Sequence, residues 1–153
     1  MDAASTGPFF HNNVVETIEE AVEFYNSTAF NDSPSGIFVG GIQLTDTQIA
    51  AVGAFLRVIN ALEKVRSSLE LLDKVLEARA LSEARQPLRI SNAEIGHGIR
   101  VLQEVKLHGV AVVHLKAART LLVAAGKTKL APARNALVKL AVKQLEKARE
   151  DMI

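Results

Sequence analysis

The chain has 153 residues, 48% of them hydrophobic, 23% charged and none of them cysteine. That length fits one domain, or one domain with a small appendage, and is enough to bury a core without disulfide or metal staples. The lack of cysteine excludes disulfides, zinc–thiolate and iron–sulfur sites, a thiol nucleophile and the Cys-x-x-Cys-His tether of a c-type haem.

A formal net charge of +1 conceals a steep gradient. Residues 1–56 contain no Lys or Arg and seven acids: Asp2, Glu16, Glu19, Glu20, Glu23, Asp32 and Asp46. Residues 105–153 contain ten basic residues and three acids, so the two ends carry about −7 and +7 around a balanced middle. Every aromatic residue (Phe9, Phe10, Phe24, Tyr25, Phe30, Phe38 and Phe55) falls on the acidic side of this boundary. No apolar run approaches the ~20 residues that span a bilayer. The first residues, Met1 to Pro8, have neither the basic nor the apolar region of a signal peptide, and the expectation is a soluble chain without an address.

In chain order, Thr17-Ile18-Glu19-Glu20 forms a capping-box pattern and predicts a helix from about Ile18 to Asn26. Ile18, Ala21, Val22 and Tyr25 would share its inner face, with Glu16, Glu19, Glu20 and Glu23 facing water. Residues 26–41, rich in Asn, Ser, Pro and Gly, predict turns and no helix, with Ile37-Phe38-Val39 as a short extended segment. A second capping box at Thr45–Gln48 opens an apolar pattern with steps of three and four. It predicts one long amphipathic helix to about Arg85, roughly 60 Å long, stopped by Gln86-Pro87. Gly53 is its weak point. A third box, Ser91–Glu94, opens a helix with Ile95, Ile99, Leu102 and Val105 inward, ending at Gly109. Val110–Ala125 forms the next, closed by Gly126. Pro132 suits the first turn of the last, whose inner face is Leu137, Leu140, Ala141, Leu145 and Ala148. The expected fold is all-α: an irregular acidic N-terminal segment with a short helix, then a long helix packed in an antiparallel helical bundle.

One ordered set of residues carries a resemblance. Gly7-Pro8-Phe9-Phe10-His11-Asn12-Asn13-Val14 is followed by Thr17-Ile18-Glu19-Glu20-Ala21-Val22 and Phe24-Tyr25, then by Leu44-Thr45-Asp46, Ile49, Val52 and Phe55-Leu56. Residues 7–62 resemble the C-terminal segment of the di-haem cytochrome c peroxidase and MauG-like family. The resemblance implies a tail of a haem domain over 1–62, lacking its haem-attachment site, and a helical-bundle extension over 63–153. It also implies a bacterial, periplasmic parent with haem c, electron transfer and haem-dependent peroxide reduction in the full protein, and no catalysis by this chain alone. By the same resemblance Phe9, Phe10 and His11 form a haem-facing loop. Two departures stand out. Phe10 occupies the position where the family often has a methionine iron ligand, and Phe cannot coordinate iron. Asn13 stands where the family usually has Gly, and Asn is a side chain that tolerates a left-handed backbone. The expected partners are the remainder of a di-haem protein or a second copy of the chain. The alternative reading is a haem-free helical interaction or oligomerisation module.

Other patterns predict less. Glu94-x-x-His97 has the spacing of a di-iron ligand pair, but no second pair accompanies it. His97 and His108 fall on one helical face without a third ligand. The basic C-terminal helices lack aromatics for base stacking, so nucleic acid is not favoured; attraction between the acidic and basic ends, within or between chains, accounts for them better. No nucleophile elbow or phosphate loop occurs, and no catalytic or metal-ligating residue is assigned.

Overall fold

The computed structural model describes Phe10 and residues 15–153. Among these the chain is all-α, with seven α-helices, one 3-10 turn and no strand. It divides into two compact units, residues 1–60 and 61–153.

The first unit is built from short elements. Helix α1, Ile18–Glu23, begins at the predicted capping box: Thr17 Oγ1 accepts from the Glu20 N–H at 3.2 Å, and the Glu20 carboxylate accepts from the Thr17 N–H at 3.1 Å. Ile18 and Ala21 are buried and pack with Val15 and Leu56. The helix tightens into a 3-10 turn at Phe24–Asn26. That change of pitch rotates Tyr25 off the inner face, and it is 41% exposed.

Residues 26–41 are not all turns. Helix α2 is Thr28–Asn31 and helix α3 is Pro34–Phe38. Each starts at a serine whose hydroxyl accepts a backbone N–H, Ser27 from Phe30 and Ser33 from Gly36. Local serine caps therefore start single helical turns that composition alone does not suggest. Ile37 and Phe38 end α3 and Val39 caps it, so the expected extended segment is absent. Gly40 and Gly41 then take φ of 80° and 79°, closing α3 with bonds from Gly40 N–H to Ile37 O and Gly41 N–H to Gly36 O.

Helix α4, Asp46–Glu77, opens at the second capping box, where Gln48 Oε1 accepts from the Thr45 N–H at 2.8 Å. It ends eight residues earlier than expected. The Glu83 carboxylate accepts the Arg79 and Ala80 N–H groups and so caps a new helix, α5, at Leu81–Glu104. Pro87 lies inside α5 rather than stopping α4. Its missing N–H costs one hydrogen bond near the N-terminal end, where packing of Ala84 and Leu88 against the bundle holds the helix. Ser91 is fully buried and is no N-cap; its carbonyl accepts from Ser68 Oγ at 3.5 Å.

Gly109 starts α6, Gly109–Lys127, instead of ending α5. The left-handed cap residue is Lys106, with φ 53°, and the bonds Lys106 N–H to Gln103 O and Leu107 N–H to Leu102 O form a Schellman closure without glycine. Helix α7, Ala131–Glu150, has Pro132 in its first turn, as expected. Within the second unit α6 packs on α5 and on α7. The part of α4 after residue 60 meets α5 through Lys64–Glu94 (2.8 Å) and through Gly98, whose missing Cβ would lie 3.9 Å from Ala61 Cα. The start of α7 closes the ring, because Arg134 and Asn135 donate to the carbonyls of Ala78 and Leu76 at the end of α4. Helix α6 is long and apolar enough to cross a membrane by length and composition, although no uninterrupted apolar run suggested it; here it lies between α5 and α7.

The bundle is a repeat of two helical hairpins. Burial recurs at a spacing of 50 residues: Val65 and Leu115, Ser68 and Ala118, Leu72 and Leu122, Val75 and Ala125, Ala84 and Arg134 are all buried pairs. The series continues through Leu88 and Val138, Ser91 and Ala141, Ile95 and Leu145, Gly98 and Ala148, Leu102 and Met152. Across 61–103 and 111–153 only Ala61/Ala111, Leu71/Leu121 and Leu72/Leu122 are identical. What repeats is the period of burial, not residue identity, and at Ala84/Arg134 not volume either.

Candidate functional site

The chemistry-bearing feature of the first unit is an aromatic cluster. Phe24 sits at its centre, with ring centroids 5.0 Å from Phe10, 5.7 Å from Tyr25 and 6.2 Å from Phe30. Tyr25 and Phe30 lie 4.8 Å apart, edge to face, a favourable quadrupole geometry. The 3-10 turn creates the cluster by turning both Phe24 and Tyr25 outward from α1. Phe10 holds a φ of 62°, is 37% exposed, and covers one side of Phe24. Of the loop singled out by resemblance, only Phe10 can be placed; Phe9 and His11 lie outside the described residues.

Three devices hold the cluster's framework. The Asn26 and Asn31 side chains act as clamps across the segment that leads to α4. Asn26 donates to Leu44 O (2.6 Å) and accepts from Leu44 N–H (2.7 Å), while Asn31 does the same with Ile42 at 3.0 and 2.7 Å. Gly36 lets α3 close onto α2, since a Cβ there would stand 2.1 Å from Phe30 O. The Glu19 carboxylate makes a two-pronged ion pair with Arg57, one bond being Arg57 Nη2 to Oε2 at 2.9 Å. The Arg57 hydrogen bonds hold the Glu19 carboxyl below the usual carboxylate range. Glu20 is lowered too, by the N–H groups of Thr17 and Glu16 that it accepts. Glu19 and Glu20 are therefore structural groups rather than free water-facing acids. Gly53 faces this pair, and a Cβ there would lie 2.8 Å from Glu19 Oε1.

The same unit exposes further apolar side chains. Phe38 is 90% exposed, Ile37 68%, Phe55 63% and Val39 56%. Composition and turn chemistry flagged the region, but the clamping role of Asn26 and Asn31 joins residues 11 and 18 positions apart, which no local pattern reports.

The remaining sequence-derived sites are not assembled. Glu94 pairs with Lys64, and His97 Nδ1 faces Arg100 at 3.4 Å. His108 falls beyond the end of α5 in a left-handed conformation (φ 52°), with its Nδ1 2.8 Å from Asp151 O, so it does not share a helical face with His97. His114 Nδ1 contacts Gln144 Oε1 at 2.7 Å, and its Nε2 lies 3.6 Å from Asp151 Oδ2. Among the described residues no group of three or more His, Asp or Glu side chains is placed to hold a metal ion. The chain has no cysteine to tether a porphyrin, and the Phe10 side chain has no donor atom. Compared with known proteins, the chain matches no family model, no curated protein and no solved structure.

Proposed function

We propose that the first unit is the C-terminal part of a di-haem cytochrome c peroxidase-like protein and supplies an apolar wall for a haem carried by the rest of that protein. The bundle is then a helical extension, and the chain is not catalytic by itself. The observation that carries this reading is the partly exposed aromatic cluster of Phe10, Phe24, Tyr25 and Phe30, of which Phe10 belongs to the loop that by resemblance faces the haem. Haem c in the parent supplies redox chemistry; this chain's residues shield one edge of it from water and fix no iron ligand at Phe10.

The test is a titration of the purified chain with a haem-bearing peptide, read by the Soret band and by quenching of Tyr25, the chain's one tyrosine. Saturable binding weakened by Phe10→Ala, Phe24→Ala and His11→Ala supports the reading. If the haem peptide leaves tyrosine emission unchanged while light scattering shows a stable dimer lost on Phe38→Ser or Phe55→Ser, the haem-free oligomerisation module replaces it.

A further inference from the structure

The second unit carries a feature that the haem reading does not use. Along the seam where α5 and α6 pack, three hollows follow one another, of about 190, 420 and 360 Å³. The first and second share Val123, and the second and third share Lys116. Between Gly109 and Gly126 the seam runs for roughly 25 Å, the length of a helix of about 17 residues.

Its lining has one sign of charge. Arg85, Arg89, Lys116 and Arg119 border the hollows, and among the described residues no Asp or Glu does. The absence has a structural cause. Helix α6 has no acidic residue, and two of the three acids on α5 are committed elsewhere, Glu94 to Lys64 and Glu83 to the N–H groups that start the helix. Arg119 is held ready: its Nε donates to Asn92 Oδ1 at 3.2 Å, and its guanidinium lies against Gly96, where a Cβ would come within 3.3 Å. Among the described residues it meets no carboxylate, which leaves the outer face of a planar two-pronged donor open. Apart from Asn92, Gln103 and Thr120 the rest of the lining is apolar, with Ile99 buried in its floor and Val123 47% and Val113 64% exposed along its rim.

We infer that the α5–α6 seam is a docking groove for an acidic amphipathic helix of a partner protein. Cations flanking an apolar strip at helical length are complementary to carboxylates flanking an apolar stripe, the helix-in-groove mode of recognition. A nucleic acid meets the cations but leaves the valine strip uncovered, and the seam offers no aromatic for its bases. An enclosed small-molecule site does not fit three open hollows in a row.

The experiment uses the full chain and a fluorescein-labelled peptide of about 17 residues, with Leu at every third and fourth position and Glu between. Anisotropy is read at low and at moderate salt. Binding with Kd of about 10 μM is expected, weakened at least about tenfold by Arg89→Glu with Arg119→Glu. Val113→Ser with Val123→Ser, which leaves the charge unchanged, should weaken it several-fold. Circular dichroism and the melting temperature show whether each variant keeps its fold. The inference fails if a scrambled acidic peptide binds as tightly, if the valine variants bind as wild type, or if a single-stranded oligonucleotide binds more tightly. Absence of binding at about 200 μM peptide overturns it as well. A haem titration that fails leaves this result untouched, because the two readings concern different residues.

Discussion

The two units of this chain reach a fixed structure by different routes. In residues 61–153 stability is spread over a periodic apolar core, where Leu72, Leu122, Ile95 and Leu145 are almost completely buried and any one residue is one of many. In the first unit the described elements before α4 are only three to six residues long, and among the described residues the buried cluster around Ile18 and Ala21 is small. There the backbone is pinned by specific bonds: serine caps, two asparagine clamps, one glycine contact and one ion pair. The consequence is a difference in surface. The first unit leaves aromatics outside, Phe24, Tyr25, Phe38 and Phe55 among them, whereas the large apolar residues that the bundle exposes, such as Val113, Leu130 and Leu140, are all aliphatic.

The contrast can be broken from either side. The largest effect is expected from Leu72→Ala and Leu122→Ala, equivalent positions in the 50-residue repeat, at about 3–4 kcal/mol each and within about 1 kcal/mol of one another. Urea unfolding followed at 222 nm measures both, and a several-fold inequality between them would show that the hairpins are not equivalent. Gly36→Ala should cost about 2–4 kcal/mol, because its Cβ meets backbone that cannot step aside. All aromatics lie between residues 9 and 55, so near-UV circular dichroism reports this region alone. The near-UV signal should collapse while most helicity at 222 nm persists; retention of both would remove the case for point constraints.

Arg134 sharpens the comparison, because it is a charged residue at a core position of the repeat, where the first hairpin has Ala84. Its guanidinium donates to Ala78 O, and among the described residues Nε and Nη1 find no hydrogen-bond partner. Arg134→Ala should cost about 2–3 kcal/mol through the cavity and the lost bond. Arg134→Met, which keeps the volume, should stay within about 1 kcal/mol of wild type. Equal losses from both variants would mean that the charge matters more than the packing.

The smallest effect concerns pH. Because Arg57 lowers the Glu19 carboxyl, the pair's contribution is fully present above the unfolded carboxylate value of about 4.3 and is lost as pH falls through the lower folded value. Glu19→Gln should flatten this part of the acid-side dependence. The change should be under about 1 kcal/mol, since the carboxylate is 39% exposed and solvent screens it. Tyrosine-detected urea midpoints at pH 7 and in acid provide the measurement, and an unchanged slope would assign the acid sensitivity to other carboxylates.

The amino-acid sequence by itself determined the all-α class, the caps at Thr17 and Thr45, and the inward positions Ile95, Ile99 and Leu102 on α5 and Ala141, Leu145 and Ala148 on α7, because 3.6-residue periodicity and capping are local physics, whereas Leu140, expected inward, is 50% exposed. It also marked residues 1–56 as the acidic, aromatic part. Only the tertiary structure decided where α4 ends and α5 begins, because packing of Ala84 and Leu88 outweighs the local cost of Pro87. It alone placed the left-handed turn at Lys106 and His108 instead of the glycine beside them. The 50-residue repeat and the acid-free seam between α5 and α6 belong to the same class. Equivalent burial and the pairing of Glu94 with Lys64 arise between helices distant in sequence, and a packed core selects for burial and charge partner without preserving letters.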